Sequence, residues 1–207
     1  MDVVESFPCN GYTIKVVIDS DPQSPREWSN LGTMQSLERF YGPDEYHDHL
    51  YGFWDLARRL AEDVVTFKTY DDIPNKHILR AVNKHFIIFP YWRRQDGSIF
   101  TDGQGLTGWD AECDGVIFVK RKDLSRPGNS ANYHVTEDQA VESLKAEIEN
   151  YSLYASGEVY GYQICNAQGD CVDSCYGFFG LHYMVDEASA IALSLPPGDQ
   201  TEDTEAA

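Results

Sequence analysis

The chain has 207 residues, 42% apolar and 13% aromatic, and its 34 acidic against 16 basic side chains leave a formal net charge of −18. That length suits one domain burying about 70% of its unfolded surface, and the composition excludes disorder of the whole chain. The charge argues against direct binding of nucleic acid or anionic lipid, because phosphate recognition uses Lys and Arg to displace counterions.

The N-terminal stretch Met1 to Asn10 carries two acids, no basic residue and no apolar core, so no targeting signal is read there. Tyr12 to Ile18 is β-rich and loosely alternating, which predicts a strand. Asp19 to Pro25 combines turn formers with two prolines and predicts a loop. From Asp48, a plausible cap, the residues Leu50, Phe53, Trp54, Ala57, Leu60, Ala61 and Val64 recur at helical spacing. Pro74 interrupts the next segment, and His85 to Trp92 then predicts a central strand, apolar on both faces over Phe86 to Phe89.

Asp96-Gly97 marks a turn, and Val116 to Lys120 predicts a third strand. Gly103, Gly105 and Gly108 spell a dinucleotide-binding pattern, but they lead to Trp109-Asp110 and a strand instead of a helix N-terminus. Thr136-Glu137-Asp138-Gln139 fits a capping box, and Val141, Leu144, Ile148 and Tyr151 share one face of the helix that runs from it to Gly157. Glu158 to Cys165 and Asp170 to Tyr176 flank Asn166 to Gly169 as a hairpin. A short helix, Asp186 to Leu193, precedes Pro196-Pro197 and an acidic tail. Together these elements predict an α+β fold, a mixed or antiparallel sheet with a few packing helices, as a single domain over 1–195 with a disordered acidic tail over 196–207.

Three groups of residues could carry chemistry. Asp19 and Asp21 flank a strand end, Asp110, Glu112 and Asp114 repeat that spacing before another, and such carboxylates suit a divalent cation; the competing reading is turn-forming aspartates that bond their own backbone. No resident cofactor is otherwise called for. Cys165, Cys171 and Cys175, with His182 as a fourth candidate, lack the close pairing of a zinc site and are expected to be free thiols. A thiol nucleophile such as Cys175 would need a nearby histidine, and His47, His49, His77, His85, His134 and His182 are scattered. The third group is the loop carrying Asp21, Arg26, Glu27, Trp28 and Asn30, a candidate binding patch. Its expected anchoring puts the Trp28 indole in the core and Arg26 on Asp19 or Asp21.

These residues also carry a resemblance. Asp21-Pro22-x-x-Pro25-Arg26-x-x-x-Asn30-x-Gly32-Thr33-Met34, Trp109-Asp110 leading into Gly115 to Val119, and the hairpin of Val159-Tyr160-Gly161-Tyr162 with Asp173 to Gly180 together resemble a family of uncharacterised proteins found mainly in bacteriophages, prophages and plasmids. The similarity spans roughly Tyr12 to Tyr183. It departs at Arg94 to Ser98, where family members often carry Asp-His-Ser-Gly. The resemblance implies a mobile-element setting and no particular activity. In that setting the expected function is a cytoplasmic, non-enzymatic interaction protein that binds a host or phage protein with a basic surface. It would block a host defence such as restriction by imitating the charge of DNA. The alternative expectation is a metal-dependent or thiol enzyme built on the clustered aspartates. No membrane association is expected.

Overall fold

The structure, a computed structural model, describes residues 3–37, 43–44, 52–66, 73–126 and 133–197. Two compact units account for it: 1–24 with 153–207, and 25–152. Both are built from antiparallel sheet and helix, so the α+β class is observed.

In the first unit, strands β1 (Val3–Cys9) and β2 (Tyr12–Ile18) form a hairpin across Asn10-Gly11. Both turn residues have positive φ, 51° and 79°, as a two-residue turn between right-twisted strands requires. The dipeptide Asn10-Gly11 is the local signal for β1, which the strand pattern alone does not reveal.

The strands of the second unit come next in the chain: β3 (Thr33–Ser36), β4 (Phe86–Arg93), β5 (Ile99–Phe100), β6 (Gly115–Lys120), and the short pair β7 (Ser125–Arg126) and β8 (Tyr133–His134). The first unit resumes with β9 (Val159–Cys165) and β10 (Cys171–Phe179), completing a sheet in the order β1-β2-β9-β10. Helix α4 (Leu181–Ser194) lays Met184, Ala188 and Ala192, four apart, on Ile14, Val16, Tyr162 and Ile164. Asn10 then caps that helix, its amide donating to the carbonyls of Ala192 and Leu195 at 2.9 and 3.0 Å. The helix begins five residues earlier than the expected Asp186, at Leu181.

The second unit holds a sheet in the order β3-β6-β4-β5. Helices α1 (Phe53–Glu62) and α2 (Asn75–His85) cover the face bearing Phe86, Ile88, Val116 and Phe118. Pro74 precedes α2 at its N-cap instead of interrupting it, since a proline there removes no intrahelical hydrogen bond. The expected cap Asp48 and Leu50 lie outside the described residues, as does the tail beyond residue 197. On β4, Pro90 pairs with Val116 of β6, and β5 meets only Trp92 and Arg93, so the missing N–H leaves no gap in a ladder.

Helix α3 (Glu137–Ala155) serves the opposite face. Its side chains approach Ile117 and Phe89, with Leu144 meeting Ile117 around Gly32 and Lys145 Nζ 5.6 Å from the Phe89 ring. The capping box forms as expected, Gln139 N–H to Thr136 Oγ1 at 3.2 Å and Thr136 N–H to Gln139 Oε1 at 3.0 Å. Gly157, at φ 77°, closes the other end by donating to the Tyr154 carbonyl. The buried face is Ala140, Leu144, Ile148 and Tyr151, while the expected Val141 is half-buried. Among the described residues, no helix is long and apolar enough to cross a membrane.

Candidate functional site

The loop entering the second unit starts with a 3-10 turn at Pro25–Glu27. Residues two apart on such a turn face different sides, and here Arg26 turns inward while Trp28 turns outward. The Arg26 side chain is 2% exposed. Its guanidinium donates to both oxygens of Asp44 at 2.8 and 2.5 Å, to Glu147 Oε2 at 2.8 Å and to the Gly32 carbonyl at 2.7 Å. Burial disfavours the charge, but the hydrogen bonds to Asp44 and Glu147 outweigh it and raise the pKa of Arg26 above its ordinary value.

Glu147 completes the knot by accepting the backbone N–H groups of Leu31 and Gly32 at 2.7 and 3.1 Å, and Asp44 accepts that of Met34 at 2.7 Å. The Asn30 amide donates to the carbonyls of Pro25 and Trp28, both at 2.9 Å. A Cβ on Gly32 would lie 2.3 Å from Leu144 Cδ2, and Met34 is wholly buried. The motif Pro25-Arg26-x-x-x-Asn30-x-Gly32-Thr33-Met34 is thus a set of folding instructions for the edge of the second unit. Two expectations are corrected: Arg26 bonds Asp44 and Glu147 instead of Asp19 or Asp21, and Trp28 is 47% exposed instead of core-bound. Glu27 is exposed beside it, and Asp21 is exposed in the first unit.

Beside this knot the second unit opens a cleft of about 950 Å³. Asn30 and Leu31 of the loop and Thr33 of β3 line it together with Arg59 and Leu60 of α1 and its C-cap Asp63, Phe118 and Lys120 of β6, Asp123, and Ser143, Glu147 and Asn150 of α3. Lys120 is paired with Asp63 at 3.1 Å, so one of the two cationic lining residues is already neutralised.

The third component is the outer face of α3, a helix with five acidic residues, of which Glu147 turns into the knot, and one lysine. Asp138, Glu142 and Glu149 are exposed at offsets of four and seven, which places them on one stripe. The lysine within that stripe, Lys145, leans over the Phe89 ring. Glu137 pairs with Arg121. Trp109 is 94% exposed, on the 3-10 turn Gly108–Glu112 that packs against α1 and α2 instead of α3.

Each of the four candidate metal ligands has a local role within its own unit. Asp19 Oδ1 accepts the Asp21 N–H at 3.1 Å, an aspartate turn within the first unit. Asp110, 5% exposed, accepts from the N–H and hydroxyl of Thr107 and so caps its own 3-10 turn. Asp114 accepts the Arg93 N–H. Among the described residues, no group of three or more His, Cys, Asp or Glu is arranged to hold a metal. All five cysteines are free: Cys113 and Cys165 are buried, Cys9 is half-buried, and Cys171 and Cys175 are exposed. His182 stands 3.6 Å from Asp186, and His47 and His49 lie outside the described residues.

Sequence reasoning did not single out Asp44 or Glu147. Glu147 had a usable signal, an acid one position from the buried Ile148, where an unpaired charge would be costly. No protein-family model, curated protein or solved structure matches this chain.

Proposed function

We propose that this chain is a non-enzymatic, acidic interaction protein that takes a basic partner protein on the outer face of α3 and the adjoining cleft. The observation that carries the reading is the exposed stripe Asp138, Glu142 and Glu149, whose intervening Lys145 is drawn over Phe89. A helix rises about 1.5 Å per residue, so Asp138 and Glu142 stand roughly 6 Å apart along the axis, a separation that suits alternate contacts with Lys and Arg. The exposed indole of Trp28, in the loop whose Asn30 and Leu31 line the cleft, supplies an apolar anchor for an otherwise charged surface. The resemblance to proteins of phages and plasmids gives the setting. In the host cytoplasm, an acidic protein that occupies the DNA site of a restriction or nuclease complex would shield incoming DNA.

The test is competition. A basic restriction endonuclease bound to a fluorescent DNA duplex is titrated with the protein at low and moderate salt. The expected result is displacement of DNA that weakens as salt rises and falls at least tenfold in the triple variant Asp138→Asn, Glu142→Gln, Glu149→Gln. Equal displacement by that folded variant would reject the α3 surface, and no displacement by the native chain would reject DNA imitation for that class of partner.

A further inference from the structure

The hairpin of the first unit brings two thiols together. Asn166 N–H donates to the Asp170 carbonyl at 2.9 Å, and Gly169, at φ 87°, donates back to the Asn166 carbonyl at 3.0 Å, which closes the turn. Asn166 and Asp170 therefore form the hydrogen-bonded end of the hairpin. The next pair outward, Cys165 opposite Cys171, falls in the non-hydrogen-bonded position of the ladder. Opposed α-carbons there stand about 4.5 Å apart with side chains on the same face, within the range of about 4.4–6.8 Å that a disulfide spans.

The other cysteines are poorly placed to compete. Cys175 lies four residues further along the same strand, roughly 13 Å away in extended chain. Cys9 pairs with Tyr12 and packs with it toward α4, whereas Cys165 pairs with Thr13, the neighbouring and oppositely facing residue. The two opposed thiols also differ in access, since Cys165 is 3% exposed and Cys171 is open on the edge strand β10. Cys171 Sγ rests 3.2 Å from the Asp173 carbonyl, beside the bulge that leaves Val172 without a partner in β9.

We propose that Cys165 and Cys171 are a reversible redox modification site, with Cys171 the peroxide-reactive thiol and Cys165 the resolving one. The oxidant is a hydroperoxide. The Cys171 thiolate attacks the peroxide oxygen, the O–O bond breaks, and the products are a Cys171 sulfenic acid and hydroxide (or alkoxide). The Cys165 sulfur then attacks the sulfenic sulfur; the S–O bond breaks, the S–S bond forms, and the thiol proton leaves with the hydroxyl as water. One peroxide is reduced by two electrons and two thiols are oxidised. A dithiol reductant reverses the second state. The bridge ties the free edge of β10 to β9 just before the bulge, so oxidation stiffens the strand end at Val172 and Asp173.

The experiment uses the full chain, reduced and then exposed to stoichiometric hydrogen peroxide, with intact mass, peptide mapping and amide exchange as readouts. The expected result is a loss of two hydrogens, a linked Cys165–Cys171 peptide, slower exchange at Val172 to Ser174, and full reversal by dithiothreitol. Cys165→Ser should instead accumulate oxygen on Cys171, Cys171→Ser should abolish the fast reaction, and Cys175→Ser should leave it unchanged. A bridge between Cys171 and Cys175, or irreversible oxidation of Cys171 in the native chain with Cys165 still reduced, would overturn the assignment.

Discussion

Arg26 and Glu147 lie 121 positions apart in the chain and meet through a 2.8 Å bond between the guanidinium and a carboxylate oxygen. The contact joins the loop before β3 to the middle of α3. It closes a network in which Asp44 and Glu147 also hold three backbone N–H groups of that loop.

Arg26→Ala should therefore lower unfolding free energy by about 3–5 kcal/mol, because it leaves two partly buried carboxylates without their cation. Urea unfolding of Arg26→Ala, Glu147→Ala and the double variant measures the coupling. The two single losses should exceed the double loss when added; simple additivity would show that the pair contributes nothing as a pair.

Gly115→Ala should destabilise by about 1–3 kcal/mol through overpacking. A Cβ there would lie 2.2 Å from Tyr91 Oη and 2.3 Å from the Gln35 carbonyl, which are themselves hydrogen bonded at 3.1 Å. Tyr91→Phe, which removes the hydroxyl that bonds the Gln35 carbonyl and the Ser36 side chain, should cost about 1–3 kcal/mol. Thermal and urea unfolding of both variants check these losses; a neutral Gly115→Ala would refute the close approach.

Trp28→Ala should change stability by no more than about 1 kcal/mol, since nearly half of the residue is already in solvent. The same variant should weaken capture of a basic partner by the surface proposed above. A drop in melting temperature typical of a lost core aromatic would return Trp28 to the interior.

Thiol labelling at pH 8 should sort the cysteines. Burial first, and then the neighbouring Asp110 carboxylate, push the Cys113 thiol up to about 12. Its thiolate fraction at pH 8 is then about a thousandfold below that of an ordinary cysteine, and it should resist iodoacetamide until the chain unfolds. Exposed Cys171 and Cys175 should be modified first. Early labelling of Cys113, mapped by mass, would contradict its burial.

Much of the fold was legible because it follows from short-range physics. The capping box at Thr136, the spacing of Leu144, Ile148 and Tyr151, and the Asn166 to Gly169 turn each depend on residues within about two helical turns or a four-residue loop. The α+β class followed from their order. What the pattern left out were elements whose signals are brief: β3, four residues long, and β1, announced only by Asn10-Gly11. Helix α2 was hidden by Pro74, which reads as a breaker within a run but as a start when it precedes one.

The orientation of the motif loop was a different matter. From the sequence, Arg26 had nearby acids at Asp19 and Asp21 and Trp28 had the usual claim of a large aromatic on the core. Composition and local propensity determined that a Pro-, Asn- and Gly-rich loop stands there, acidic on balance and rigid. Only the tertiary structure decided which side faced in, because the lowest-energy partner for a guanidinium is the carboxylate pair that can surround it and satisfy the loop's N–H groups as well. Asp44 and Glu147 do both, and Glu147 reaches the loop from a helix more than a hundred residues away. Arg26 went inward to meet them, and Trp28 was left in solvent.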